Sequence, residues 1–178
     1  MNLPNLLTIV RLLMVPVFLV VLFSDDSLLT RALAAAIFLL ASFTDLVDGR
    51  LARQRGQITN FGIIADPIAD KALTGAALIS LSVLGELNWW VTLVILIREV
   101  GITLMRFWII KRKVLPASRG GKTKTAFQMT AITLYLLSLP TPLSLLAPVV
   151  MAAAVILTVA TGLDYIVQTR RLSRAIPA

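Results

Sequence analysis

Six stretches of apolar residues, each close to twenty long, recur along this chain, near Leu6–Phe23, Leu28–Val47, Gly62–Leu84, Trp89–Ile110, Ala126–Leu146 and Pro148–Val167. A helix rising about 1.5 Å per residue crosses a hydrocarbon core of about 30 Å in that length. Lipid offers nothing to an unpaired backbone N–H or C=O, so each stretch has to be helical. The hydrophobic share of 58% over 178 residues agrees, since a soluble domain carries about 45–50% even with glycine counted. The expectation is an all-α integral membrane protein with six transmembrane helices, residues 1–178 forming one domain. The first stretch is expected to be retained and not cleaved as a leader, because Arg11 interrupts it and no small-residue cleavage site follows.

The charges are sorted by loop. Arg50, Arg53 and Arg55 fall between the second and third stretches, Lys111, Arg112, Lys113, Arg119, Lys122 and Lys124 between the fourth and fifth, and Arg170, Arg171 and Arg174 after the sixth. The alternate connections, SDDSLLTR, GELN and LPTPLS, hold a single basic residue among them. Basic loops stay on the cytoplasmic side, so both termini and the longer loops are expected there. The net charge of +8 thus reads as topology and contact with anionic headgroups. It lacks the interleaved aromatic platform of a nucleic-acid binder, and no nucleic-acid partner is expected. Trp89 and Trp90 read as a belt at the outer interface.

The chain has no cysteine and no histidine. That removes disulfides, thiolate nucleophiles, the commonest general base and most zinc or haem ligation. A phospholipase D type of chemistry, which needs histidines, is excluded on the same ground. What remains is carboxylates, arginines, lysines, hydroxyls, or a metal held through oxygen.

Four of the nine acidic residues lie in TDLVDGRLARQRGQITNFGIIADPIADKA, residues 44–72. Asp45 and Asp48 are three apart at the end of the second stretch, and Asp66 and Asp70 four apart at the start of the third. Either spacing puts both side chains on one helix face, so two helices joined by a short loop can aim four carboxylates at one point. Four such charges at a membrane edge repel each other and resist desolvation. Two Mg²⁺ or Mn²⁺ ions, which prefer hard oxygen ligands, would offset them, and a two-metal carboxylate cluster most often serves phosphoryl transfer. Gly49 and Ala52 leave room for a ligand against the backbone, and Arg53, one turn after Gly49, can fork onto a phosphate. Gly62 is expected to ease entry into the third helix and Pro67 to sit in its early turns, where a missing N–H is tolerated. The plainer reading, interfacial aspartates paired with Arg50, Arg53 and Lys71, does not explain the paired spacing or the small residues between the pairs.

Written as a pattern, the stretch is Asp45-x2-Asp48-Gly49-x2-Ala52-Arg53-x8-Gly62-x3-Asp66-x3-Asp70. It resembles the signature of the CDP-alcohol phosphatidyltransferase family at every fixed position. PNLLTIVR, REVGITLMR and GGKTKTAFQM further resemble segments of that family's phosphatidylglycerophosphate synthase subgroup, so the likeness runs from Pro4 to about Met129. The resemblance implies six transmembrane helices, a two-metal site open to the cytoplasm of a bacterial plasma membrane, and a homodimer. It also implies transfer of a phosphatidyl group from CDP-diacylglycerol to sn-glycerol 3-phosphate with release of CMP. By the same resemblance Asp45, Asp48, Asp66 and Asp70 hold the two ions and Asp70 is the general base. Asn5, Thr8, Asp48, Gly49, Ala52, Arg53 and Thr59 would bind CDP-diacylglycerol.

An acceptor that is a dianion needs a cationic recess. Arg98 and Arg106, eight apart, share one face of the fourth helix, and Arg98 lies deep in VTLVILIREVGITLM, where a lone cation is costly. Glu99 is a candidate to orient one of these arginines, although neighbours on a helix point apart. Arg119, Lys122 and Lys124 are expected to close the recess from the cytoplasmic side, while Lys111, Arg112 and Lys113 read as topology anchors. Asp164 is expected to hydrogen-bond a neighbouring helix. The signature is shared by enzymes that use inositol, inositol phosphate, serine or phosphatidylglycerol as acceptor. A non-enzymatic Mg²⁺ carrier would account for the aspartates but has no use for Arg53 beside them.

Overall fold

A computed structural model describes the backbone of residues 3–55, 60–109 and 119–174, and the side chains of residues 5–44, 65–105 and 121–168. Six helices form over these residues: α1 (Leu3–Leu22), α2 (Leu28–Arg55), α3 (Asn60–Val83), α4 (Trp89–Ile109), α5 (Arg119–Leu136) and α6 (Leu146–Arg174). No strand occurs among the described residues. α1 packs on α2 and α3, α5 lies along α6, and α4 bridges α3 to α6, while α5 closes the bundle against α2 and α3.

The core is built from a few large side chains set among small ones. Phe18, Phe38, Leu73, Leu78, Ile95 and Ile132 are fully or almost fully buried, with Ala34, Ala41, Ala77, Ala131 and Ala154 between them. Alanine lets helix backbones approach closely enough for the large residues to interlock. The rings of Phe18 and Phe38 meet at 6.3 Å, tilted by 49°, a geometry aromatic quadrupoles favour. The outward faces are also apolar: Val20, Leu28, Ile97 and Ile156 are among many large hydrophobics left exposed.

By length and composition alone, two described helices are apolar enough to cross a membrane, over Asn5–Leu22 and Leu143–Gln168. The intervening helices carry charges along their length, such as Asp66, Asp70 and Lys71 in α3 and Arg98 and Glu99 in α4. Several boundaries differ from the sequence expectation. α5 stops at Leu136, ten residues short of the expected Leu146, and the chain turns through Pro140 and Pro142 into a 3₁₀ turn at Leu143–Leu145. Proline supplies no N–H and disfavours helix in the residue before it. α6 begins at Leu146, which puts Pro148 in its first turn, where proline is tolerated. α3 begins at Asn60, so Gly62 lies inside it and Pro67 falls about two turns in, not at its start. There Pro67 leaves the carbonyl of Ile63 without its helical donor, one turn from Asp66.

The end of the bundle opposite the aspartates is closed by local devices. Ser27 caps α2: its Oγ accepts from Thr30 N–H at 3.2 Å, and its carbonyl takes the first helical bond from Arg31 N–H. Ser27 N–H in turn donates to Asp25 Oδ1 at 2.7 Å. Its hydrogen bonds hold the exposed Asp25 carboxyl below the usual carboxylate range. Gly85, at φ +77°, ends α3, with Glu86 N–H bonding Leu81 O and Gly85 N–H bonding Ser82 O; this paired closure needs a left-handed residue. Thr92 of α4 donates to Leu78 O and meets Ser82 Oγ at 2.7 Å, stitching α4 to α3. The 7%-exposed Arg31 pairs with Asp26 at 2.8 Å and Glu86 at 2.5 Å, tying the α1–α2 and α3–α4 connections together.

Removing one member of a buried pair strands its partner's charge and costs about 3–5 kcal/mol. Asp26 is exposed, so Arg31→Met is expected to cost less, about 1–3 kcal/mol. The check is a lower unfolding midpoint in detergent, with substrate KM values unchanged.

Candidate functional site

One face of α1 supplies the first part of the site. Asn5, Thr8 and Arg11 follow one another at intervals of three and so line one stripe, with Thr8 1% exposed and Arg11 wholly buried. Thr8 Oγ1 donates to Asp66 Oδ1 at 2.5 Å. Arg11 Nε donates to the carbonyl of Ala41 at 3.2 Å, one turn before Asp45 on α2. The start of α1 therefore holds α2 and α3 together beside the aspartates. Arg11 is a site residue that the sequence analysis does not single out, although a cation in the middle of an apolar stretch is the available signal.

α2 continues as helix through Arg55, so Asp45 and Asp48 occupy positions on one helix face and Gly49, Ala52 and Arg53 follow on the same helix. Their side chains lie outside the described residues. Thr59 lies outside them altogether, as do the side chains of Arg106 and Arg119. On α3, Asp66 and Asp70 are one turn apart, with the fully buried Ala69 between them and the Asp70 side chain 45% exposed. Among the described residues no group of three or more His, Cys, Asp or Glu stands in an arrangement that holds a metal. Asp66 and Asp70 supply two hard-oxygen donors at this end of α3.

A second cluster adjoins the first. Lys71 Nζ is 4.0 Å from Asp70 Oδ2 and 3.3 Å from Glu99 Oε2. The other oxygen of Glu99 receives Arg98 Nη1 at 3.2 Å and the Nζ of Lys124 from α5. Arg98 Nη2 donates to Thr161 Oγ1 of α6 at 2.9 Å. A Cβ at Gly162 would stand 3.3 Å from Arg98 Cγ, so the absence of a side chain there gives Arg98 its path across α6. Lys124 is 3% exposed, and one turn further on, Gln128 is also buried, its Oε1 without a partner among the described residues.

The expected recess is thus partly assembled. Arg98 and Lys124 meet through Glu99, whereas Lys122 is exposed and makes no contact with that carboxylate. Lys71 joins it: the plainer sequence reading pairs Lys71 with the aspartates, which its 4.0 Å approach to Asp70 bears out, but its reach to Glu99 is one that sequence reasoning misses. For Lys71 the only sequence signal is its place next to Asp70, and adjacency on a helix normally separates side chains. Glu99 and Arg98 do meet despite being neighbours, because both chains are long enough to reach back to one point. Asp164 is a correction. It sits on an exposed position and accepts from Gln168 Nε2 at 2.8 Å, one turn along its own helix, not from a neighbouring helix.

Residues 1–160 match the family described as CDP-alcohol phosphatidyltransferase. The chain belongs to that family. A protein of Mycobacterium tuberculosis (strain ATCC 25618 / H37Rv) named "Probable phosphatidylglycerophosphate synthase" is 54% identical over 172 residues, covering 96% of this chain and 82% of its own length. Proteins of Rickettsia felis and of Bacillus subtilis (strain 168), both named "CDP-diacylglycerol--glycerol-3-phosphate 3-phosphatidyltransferase", are each 37% identical, covering 92% of this chain and 93% of their own. As a member of the CDP-alcohol phosphatidyltransferase family the chain is a transferase enzyme of phospholipid biosynthesis. The two clusters described above meet at Asp70 and Lys71, within the family's aspartate signature.

Thr8→Val removes the only hydroxyl on Asp66 Oδ1 that the described contacts supply and is expected to lower turnover about tenfold, because the Asp66 carboxylate then loses the hydrogen bond that fixes its orientation. Gly162→Ala brings a methyl to 3.3 Å from Arg98 Cγ, so that the arginine must yield by a few tenths of an ångström, and is expected to raise the KM of an anionic substrate by no more than about threefold with little change in turnover, since it weakens binding alone. Steady-state kinetics on each purified variant check both.

Proposed function

We propose that this enzyme transfers the phosphatidyl group of CDP-diacylglycerol to sn-glycerol 3-phosphate, giving phosphatidylglycerophosphate and CMP. The observation that carries the acceptor assignment is the cluster of Arg98, Lys71 and Lys124 about the single carboxylate of Glu99, against Asp70. Its surplus positive charge suits a phosphorylated alcohol and gives no reason to prefer serine or free inositol. The names of the relatives support the same acceptor.

The family's divalent ions are tested by the donor set. Asp66 and Asp70 offer hard oxygens one turn apart, Thr8 donates to one oxygen of Asp66, and the α2 backbone carries Asp45 and Asp48 on one face. Such a set fits Mg²⁺ or Mn²⁺. Asp45, Asp48, Asp66 and Asp70 would hold two ions, which when bound neutralise diphosphate charge and assist departure of CMP. Asn5, Thr8, Asp48, Gly49, Ala52, Arg53 and Thr59 are assigned to CDP-diacylglycerol, and Arg98, Arg106, Arg119, Lys122 and Lys124 to the acceptor.

In this reading Arg98 and Lys124 hold the acceptor's phosphate, which fixes the free hydroxyl near Asp70. Asp70, its side chain 45% exposed, takes the hydroxyl proton on a carboxylate oxygen as the acceptor's hydroxyl oxygen bonds to the phosphorus carrying diacylglycerol. The bond from that phosphorus to the CMP oxygen breaks, and CMP leaves with the electron pair. No covalent enzyme intermediate is required. Direct positioning of the two substrates supplies much of the acceleration.

The exposed apolar faces and the alternation of basic loops support six membrane spans with both termini in the cytoplasm. The site then opens to the cytoplasmic side of a bacterial plasma membrane. Residues 1–178 act as one domain, and the active form is a homodimer.

Asp70→Asn keeps the size of the side chain but cannot take the proton. It is expected to lower CMP release by at least about a thousandfold, within the span of general-base contributions with metal support lost, while CDP-diacylglycerol still binds. Wild-type enzyme stripped with a chelator should lose activity and regain it with Mg²⁺ or Mn²⁺. CMP release with serine or inositol but not with sn-glycerol 3-phosphate would overturn the acceptor.

A further inference from the structure

Ion pairing alone does not explain the cluster at Glu99. One carboxylate needs one cation, yet Lys71, Arg98 and Lys124 converge on it from α3, α4 and α5. Three positive groups meet the Glu99 carboxylate, and with Asp70, 4.0 Å from Lys71, counted as well they leave a surplus of one positive charge in a place where Lys124 is almost wholly buried and Glu99 is 16% exposed. Like charges gathered out of water are costly unless an anion completes the set. The Nε of Arg98 is buried and has no hydrogen-bond partner among the described residues, although Nη1 and Nη2 are both engaged.

The position of Lys71 adds direction. Its Nζ stands between Asp70 Oδ2 at 4.0 Å and Glu99 Oε2 at 3.3 Å, so an anion that draws on Lys71 is held next to Asp70.

We propose that Glu99 is a positioning residue and Lys71 a third phosphate-binding arm. Glu99 gathers Lys71, Arg98 and Lys124 into a cationic cluster that takes a phosphomonoester dianion and holds it beside Asp70. The inference rests on the acceptor reading above and gives separate roles to Glu99 and Lys71, which that reading uses only as members of the cluster. Glu99 touches no substrate atom. It keeps three mutually repelling cations within reach of one phosphate. Without Glu99 the arms repel and spread, so the loss falls on acceptor binding and not on the nucleotide-lipid side.

The test is steady-state CMP release by the full-length enzyme in detergent or liposomes, with Glu99→Gln, Glu99→Asp and Lys71→Met compared with wild type. Inorganic phosphate serves as a probe competing with the acceptor. Glu99→Gln should raise the KM for sn-glycerol 3-phosphate about tenfold or more and raise the phosphate inhibition constant in parallel, with the KM for CDP-diacylglycerol within about threefold of wild type. Glu99→Asp should recover part of the loss, and Lys71→Met should raise both acceptor constants. A structural role for Glu99 would instead move both substrates' constants together and leave Lys71→Met near wild type; that outcome overturns the proposal, as do unchanged acceptor constants in Glu99→Gln and Lys71→Met. If Glu99→Gln does not fold, Glu99→Asp and Lys71→Met decide by the same criteria. Absence of CMP release from wild-type enzyme with sn-glycerol 3-phosphate would sink the reaction and not the recess. Calorimetric titration with inorganic phosphate then decides: weaker binding by Lys71→Met than by wild type supports the recess, and equal binding overturns it.

Discussion

Charge inside an apolar bundle has few places to go, and the rest of this structure follows from where it went. The outward faces of the helices are largely hydrophobic, so ionised side chains deep among them, such as Arg11, Arg98 and Lys124, turn inward and find opposite charge or hydrogen bonds, because an unpaired charge in low dielectric costs several kcal/mol. Glu99 is where that requirement is met for three helices at once. Its carboxylate ties α3, α4 and α5 together, and through Arg98 and Thr161 the tie reaches α6. A fold that gathers so many cations about one acid is also left with an electrostatic surplus, and that surplus makes the cluster useful for anions as well as for cohesion.

The aspartate end is organised by the first helix. Thr8 and Arg11, buried on one stripe of α1, reach Asp66 on α3 and the backbone of α2 near Asp45. A threonine donating to one oxygen of a carboxylate fixes its plane and leaves the other oxygen to point elsewhere. The site is thus assembled from segments far apart in the chain, and α1 acts as the strut that sets the distance between the two aspartate-bearing helices. At the other end Arg31, Glu86 and Asp26 close the bundle by ordinary ion pairing, with the cap at Ser27 and the turn at Gly85 fixing the connections.

Much of this is legible without coordinates. The helical character of each segment and the shared faces of Asp45 with Asp48 and of Asp66 with Asp70 follow from apolar run length and helical periodicity. The depth of Arg98 announces that it needs a partner. Other features are hidden for identifiable reasons. Lys71 reaches Glu99 across the α3–α4 contact, and nothing in a linear pattern states which helices adjoin. Asp164 turns outward to Gln168, four residues on in its own helix, where a single buried polar residue would seek a neighbouring helix. α5 ends early because Pro140 and Pro142 break helix more strongly than an apolar run sustains it.

The sequence by itself determined the elements and the chemistry: six helices, no cysteine or histidine, carboxylates at helical spacing, and a family signature. These are local properties, set by backbone hydrogen bonding, side-chain type and spacing along one helix. Only the tertiary structure decided that Thr8 supports Asp66, that Gly162 makes way for Arg98, and that Lys71 joins the aspartates to a cluster around Glu99. Those facts depend on the rotation and depth at which helices pack, which are settled by the fit of side chains such as Phe18, Phe38 and the alanines of the core across many residues at once.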